Sequence, residues 1–103
     1  MIETLQQLSQ PIADVCRRYG VKRLDVVGSA ARGTDFDPSS SDYDFVVRFS
    51  PQSVHQPLEE YFGLRAALAD LLHRPVDLIE ENAIRNPYLR ATLDQSRQTI
   101  YAA

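Results

Sequence analysis

Residues 42–49 read Asp-Tyr-Asp-Phe-Val-Val-Arg-Phe, and no other segment of the chain narrows the possible folds as far. The run alternates strictly, with Tyr43, Phe45, Val47 and Phe49 on one side and Asp42, Asp44, Val46 and Arg48 on the other. An aromatic face of this kind has to lie on a core, so the strand demands a sheet and a layer to cover it. Its opposite face carries two carboxylates at i and i+2, their Cα atoms about 6–7 Å apart.

The covering layer is visible on both sides. Ile2, Leu5, Leu8, Ile12, Val15 and Tyr19 recur three or four apart, which predicts helix over 2–19. Pro11 either kinks that helix or falls in the first turn of one that starts after Ser9. Gly20 is placed to end it. Leu58, Tyr61, Phe62, Leu64, Arg65, Leu68, Leu71 and Leu72 outline a second helix, stopped by Arg74-Pro75. Val21 to Gly28 and Val76 to Ile79 read as further strands, and Thr99 to Tyr101 as a brief terminal one. Ser29 is a good N-cap for a short helix ended by Gly33, followed by a loop over Thr34–Ser41. A second loop is expected from Pro51 to Pro57. Asn82 to Ser96 reads as helix, with Asn86-Pro87 dividing it or marking its start. The expected class is α/β (α+β), a small sheet flanked by helices.

Composition sets the limits around this pattern. A length of 103 residues with 44% hydrophobic and 24% charged side chains suffices for one core, so a single domain over residues 1–103 is expected. A collagen, a coiled coil, a disulfide mini-protein and a two-domain enzyme are excluded. No stretch approaches the ~20 apolar residues of a membrane span. The opening MIETLQQLSQ is polar and amphipathic, unlike a signal peptide. The single cysteine, Cys16, cannot form an internal disulfide and fits a cytoplasmic protein. With a net charge of −3 and a pI of about 5.2 there is no basic field. Neither nucleic acid nor membrane is therefore expected as a direct partner.

The residues with chemical potential are few. Two acids in a strand that must pack are costly unless something pairs with them, and a hard cation does so well. Mg²⁺ takes oxygen ligands and is usually held by one or two carboxylates plus substrate phosphates. A solvated edge strand would show the same isolated Asp42-x-Asp44 pattern. The turn Gly28-Ser29 adds a second feature: backbone N–H groups at a glycine turn entering a helix suit phosphate. Arg32 could add a cation to that phosphate. The spacing of Gly28, Gly33 and Thr34 approaches a P-loop, but no lysine stands between Gly33 and Thr34. Cys16 falls beside Ile12 and Tyr19 on the helix face and reads as core, and Tyr88 and Tyr101 read as packing residues. His55 and His73 have no partner at metal-ligand spacing and read as surface or loop. Arg17, Arg18, Lys22 and Arg23 read as a solvated basic face, or one that meets an acidic partner.

Gly28-Ser29-Ala30-Ala31-Arg32-Gly33 followed by Ser41-Asp42-Tyr43-Asp44 resembles the signature of the nucleotidyltransferase superfamily related to DNA polymerase β. Within it the chain is similar to the minimal nucleotidyltransferases, antitoxins encoded beside HEPN-domain toxins. The likeness runs over nearly all of the chain; one departure is the long loop after Gly33, with extra acids Asp35 and Asp37. The resemblance implies a compact nucleotidyltransferase fold with a small mixed sheet. It implies a third carboxylate from a neighbouring strand, which Asp77 fits, while Glu80 and Glu81 lie at the strand's end, where a solvated acid is the default. Asp42, Asp44 and Asp77 would then be catalytic and hold two Mg²⁺ ions, and Gly28, Ser29 and Arg32 would bind nucleotide phosphates.

The activity implied is transfer of AMP from ATP to a hydroxyl, a tyrosine of a HEPN-type RNase toxin, with release of pyrophosphate. Two other readings compete. One is an antitoxin that only occludes its partner and keeps a vestigial metal site. The other is a small-molecule enzyme of the antibiotic-modifying type, against which the length speaks, because there is no second domain to hold an acceptor.

Overall fold

Helix formation at the N-terminus is divided by sequence. A computed structural model describes residues 1–37, 39–51 and 57–103, with Pro57 placed only as part of a helix. It opens with α1 (Glu3–Gln7) and α2 (Ser9–Arg18), separated at Leu8. Pro11 sits in the first turn of α2, where the N–H it lacks has no intrahelical acceptor to lose. Gly20 leaves the helix with φ +69°, a conformation that costs glycine nothing.

The chain continues through β1 (Val21–Val27), α3 (Ser29–Arg32), β2 (Tyr43–Phe49), α4 (Pro57–Leu72), β3 (Val76–Glu80), a 3₁₀ turn (Glu81–Ala83), α5 (Pro87–Ser96) and β4 (Gln98–Ala102). Asn86 is the true start of the last helix: its side chain accepts from the N–H groups of Tyr88 and Leu89, and Pro87 takes the first helical position. The second loop expected from 51 to 57, with His55, lies largely outside the described residues. His73 ends α4 in the left-handed region at φ +55° and is exposed.

The four strands form one mixed sheet in the order β3-β2-β1-β4. β1 pairs antiparallel with β2 and β4, whereas β2 and β3 run parallel across the α4 crossover. The class expected from the sequence is the class found. One face of the sheet carries the main core, in which Leu24, Val26, Tyr43, Phe45, Val47, Val76 and Leu78 pack against Leu5, Ile12, Cys16, Leu64 and Leu68 of the helices. Burying this set removes a large apolar surface from water. The other face carries a smaller cluster, Val27, Val46 and Ile84 with Ile79 and Leu93, and leaves part of the sheet open. Among the described residues no helix is long and apolar enough to cross a membrane.

Three expectations need correcting here. Asp42 lies just before β2 rather than within it, since pairing begins at Tyr43. Ser29 is the first residue of α3, not its cap; Gly28 holds the cap position, and no side chain supplies a cap bond. Tyr88 is not a packing residue: it is 83% exposed, and Leu89 beside it in the first turn of α5 is exposed too. Tyr101, by contrast, packs against the main core, as expected.

Candidate active site

Strand register assembles the site. Val27 is opposite Asp44 across the antiparallel pair, and Asp44 is opposite Asp77 across the parallel one. Gly28, which follows Val27, therefore leaves the sheet next to Asp44. The alternation in β3 does what the sequence suggests: Val76 and Leu78 are buried in the main core while Asp77 is exposed on the other face. Two carboxylates from neighbouring strands thus lie side by side on the open face. Burial, then the charges of Asp77 and Asp42, push the Asp44 carboxyl above its usual range. Among the described residues no cation pairs with it.

The turn above this pair is tightly built. Gly28 has φ +72° and ψ −151°, a backbone region open essentially to glycine alone. A Cβ at Gly28 would stand 3.0 Å from Asp44 Oδ2, so any side chain here would crowd the carboxylate. The first residues of α3, Ser29 and Ala30, have N–H groups without intrahelical acceptors. Gly33 closes this single helical turn in the left-handed conformation.

Not every residue singled out from the sequence joins the group. Asp42 is half exposed, and its Oδ1 accepts from Arg74 Nη2 at 3.2 Å; Arg74 Nε also donates to Ser41 O at 3.1 Å. Arg32 is not aimed at the turn. Its guanidinium is engaged by Asp35, Nη2 to Oδ2 at 2.7 Å and Nε to Oδ1 at 3.3 Å. Glu81 is not a solvated acid: it accepts from Arg97 at 2.8 and 3.2 Å, which holds its carboxyl below the ordinary value. The basic face is partly spoken for, Arg17 by Asp14 and Arg23 by Asp25 and Thr99.

Other positions around this region escape a linear reading. Arg74 marks the stop of α4 in the sequence, yet it organises the approach to β2. Ser96 Oγ accepts the Gly28 N–H at 2.9 Å across 68 positions, which no local pattern announces. Asp25 is a signal that could have been read, an acid inside an apolar strand, and it is 2% exposed.

The donor chemistry fits a divalent cation. Among the described residues no three His, Cys, Asp or Glu side chains form a ready metal cage. Mg²⁺ needs none, since one or two carboxylates and the substrate's phosphates complete its shell. Asp44 and Asp77 supply such a pair, and the unrelieved charge on Asp44 is the feature a cation would neutralise.

Comparison with known proteins agrees with this geometry. Residues 8–100 match the model of the nucleotidyltransferase domain family. The chain belongs to that family, and it is a nucleotidyltransferase. Over 78 residues it is 33% identical to a Methanocaldococcus jannaschii protein named "Putative protein adenylyltransferase MJ1379", covering 76% of this chain and 75% of that one. A solved structure described as a "putative minimal nucleotidyltransferase" superposes with a TM-score of 0.74 at 31% identity over 95% of both chains. A chain of the complex of tri-AMPylated Shewanella oneidensis HEPN toxin with MNT antitoxin superposes with a TM-score of 0.65, covering 96% of this chain and 73% of that one. At 16% identity, that last likeness is one of fold.

Proposed function

We propose that this chain is a Mg²⁺-dependent protein adenylyltransferase that acts as an antitoxin, moving AMP from ATP to a tyrosine hydroxyl of a HEPN-domain RNase toxin. The observation that carries this reading is the register Val27–Asp44–Asp77, which sets two uncompensated carboxylates beneath a glycine turn. The adenylyltransferase relatives and the MNT–HEPN complex among the structural neighbours support the donor and the partner.

In this reading Asp44 and Asp77 hold the cation, and Asp42 joins them by leaving Arg74. Bound Mg²⁺ would neutralise the triphosphate and stabilise the attacking and leaving oxygens. Asp77, the more exposed acid, accepts the proton of the incoming hydroxyl. Gly28 gives the triphosphate room by lacking a side chain, and the N–H groups of Ser29 and Ala30, with the Ser29 hydroxyl, grip its phosphates. Arg32 braces the turn through Asp35 instead of touching phosphate. Residues 1–103 act as one nucleotidyltransferase domain, in the cytoplasm. The acceptor hydroxyl arrives on another macromolecule, as in the MNT–HEPN complex among the structural neighbours.

Incubation with α-labelled ATP, Mg²⁺ and the HEPN-domain partner tests the proposal. Label should enter the partner, raise its mass by one or more AMP units, and keep its RNase activity silent after the chains are separated. Full recovery on separation, with no mass change, would leave occlusion as the function.

A further inference from the structure

We infer that Ser96, at the end of α5, is a positioning residue that holds the Gly28 turn in register with Asp44. This role rests on the proposed reading of that turn as the phosphate grip. Gly28 is constrained in two ways. A Cβ at Gly28 would meet Asp44 Oδ2 at 3.0 Å, which keeps the position open to glycine, and Ser96 Oγ takes the Gly28 N–H at 2.9 Å. Two residues further on, Gln98 Nε2 donates to Ala31 O at 3.2 Å, so the junction of α5 and β4 holds α3 at a second point.

The junction is itself anchored. Arg97, between Ser96 and Gln98, has a side chain only 14% exposed. It donates to Glu81 at 2.8 and 3.2 Å and stands 3.5 Å from Asp25 Oδ2. Its Nε lies 3.1 Å from Asp94 Oδ1 but makes no hydrogen bond. Gln98 then enters the sheet opposite Val26. Arg97 is thus tied to the 3₁₀ turn and to β1, and Gln98 to the sheet, so the Ser96 hydroxyl is presented from a junction held on its C-terminal side.

Consequences for the site follow from donor counting. With the Gly28 N–H committed to Ser96, the donors left for a phosphate are those of Ser29 and Ala30, which point where the Gly28 conformation aims them. Loss of the Ser96 hydroxyl frees a backbone donor and releases the turn from its outer support. The grip should loosen while the rest of the fold stays.

Titration of ATP with Mg²⁺ into wild type, Ser96→Ala and Ser96→Thr, together with amide exchange by NMR, tests this role. Ser96→Ala should raise the Kd about three- to tenfold, the worth of one hydrogen bond. Exchange at Gly28 should quicken while the Val47 amide in mid-sheet is unchanged, and Ser96→Thr should restore both. Unchanged affinity in Ser96→Ala would make the contact purely structural and overturn the role. Tighter binding would show the hydroxyl competing with phosphate, and would overturn it too. Wild type that binds no ATP with Mg²⁺ would instead overturn the phosphate-grip reading, and the role with it.

Discussion

Asp25 and Asp44 sit on the same face of the same sheet, on neighbouring strands, and the fold treats them in opposite ways. Asp25 is 2% exposed and fully provided for: Arg23 Nε donates to it at 3.0 Å and Arg97 Nη1 lies 3.5 Å away. Asp44 is less buried, faces Asp77 and has no cation among the described residues. A buried acid with its counter-charges supplied belongs to the fold. A clustered acid without them is a candidate for a site that a ligand completes. The contrast separates structure from function more cleanly than burial alone could.

The largest expected difference is in activity. Asp44→Asn should cut transfer by more than the ~10–100-fold typical of losing an outer partner of a metal site. Its melting temperature should hold or rise, because like-charge crowding is relieved; measuring turnover and melting on the same sample checks both. A normal rate would move Asp44 to the structural side.

Asp25→Ala should behave in reverse. It strips Arg97 of one of its partners and leaves a buried guanidinium less well compensated, at a cost of about 2–3 kcal/mol. For a domain of this size that lowers the melting temperature by about 10–20 °C. Transfer per folded molecule, assayed well below the transition, should remain near wild type.

A smaller effect separates Asp44 from Glu81 by pH. A carboxyl whose folded pKa is raised contributes stability that is full below its unfolded pKa and lost as pH climbs through the folded one. Asp44 is of this kind. Glu81, held low by Arg97, works the other way: its contribution is present above the ordinary carboxylate value and lost as pH falls through the folded one. Melting curves across the acid range should show Asp44→Asn losing the decline with rising pH, and Glu81→Gln losing the decline with falling pH. The same slopes in both variants as in wild type would refute the assignment.

The smallest effect is a silence. Burial pushes the Cys16 thiol up to about 12, so at pH 8 only about one part in 10⁴ is thiolate. A thiol reagent should leave the native protein unlabelled and react once it is unfolded. Rapid labelling of the native state would mean that the main core opens near α2.

What could be read from the chain, and what could not, divides along the range of the interactions. Alternation in residues 43–49 and 76–79 determines which side chains reach the core, so the faces bearing Asp44 and Asp77 were legible. Glycine at 20, 28 and 33 announced turns that all take positive φ. The strand order was not legible, because β4 pairs with β1 across most of the chain and nothing local encodes that closure. Charge partners were the weakest point. Arg32, read from the sequence as a phosphate cation, is paired with Asp35 three residues on, a partner not read from the sequence. Glu81 looked like a solvated strand end until Arg97, sixteen residues away, folded back onto it. Pairing among long, flexible side chains depends on which element happens to pass, and composition gives no hint of it.

One titration bears on the division between the two acids more sharply than any other. Calorimetry with ATP and Mg²⁺ on wild type, Asp44→Asn with Asp77→Asn, and Asp25→Asn asks which carboxylates the nucleotide and its metal need. The double variant should show no Mg²⁺-dependent binding while remaining folded, and Asp25→Asn should bind as wild type does below its lowered melting point. Retained Mg²⁺-dependent binding in the double variant, or its loss only in Asp25→Asn, would contradict the assignment of Asp44 and Asp77 as the nucleotide-metal site.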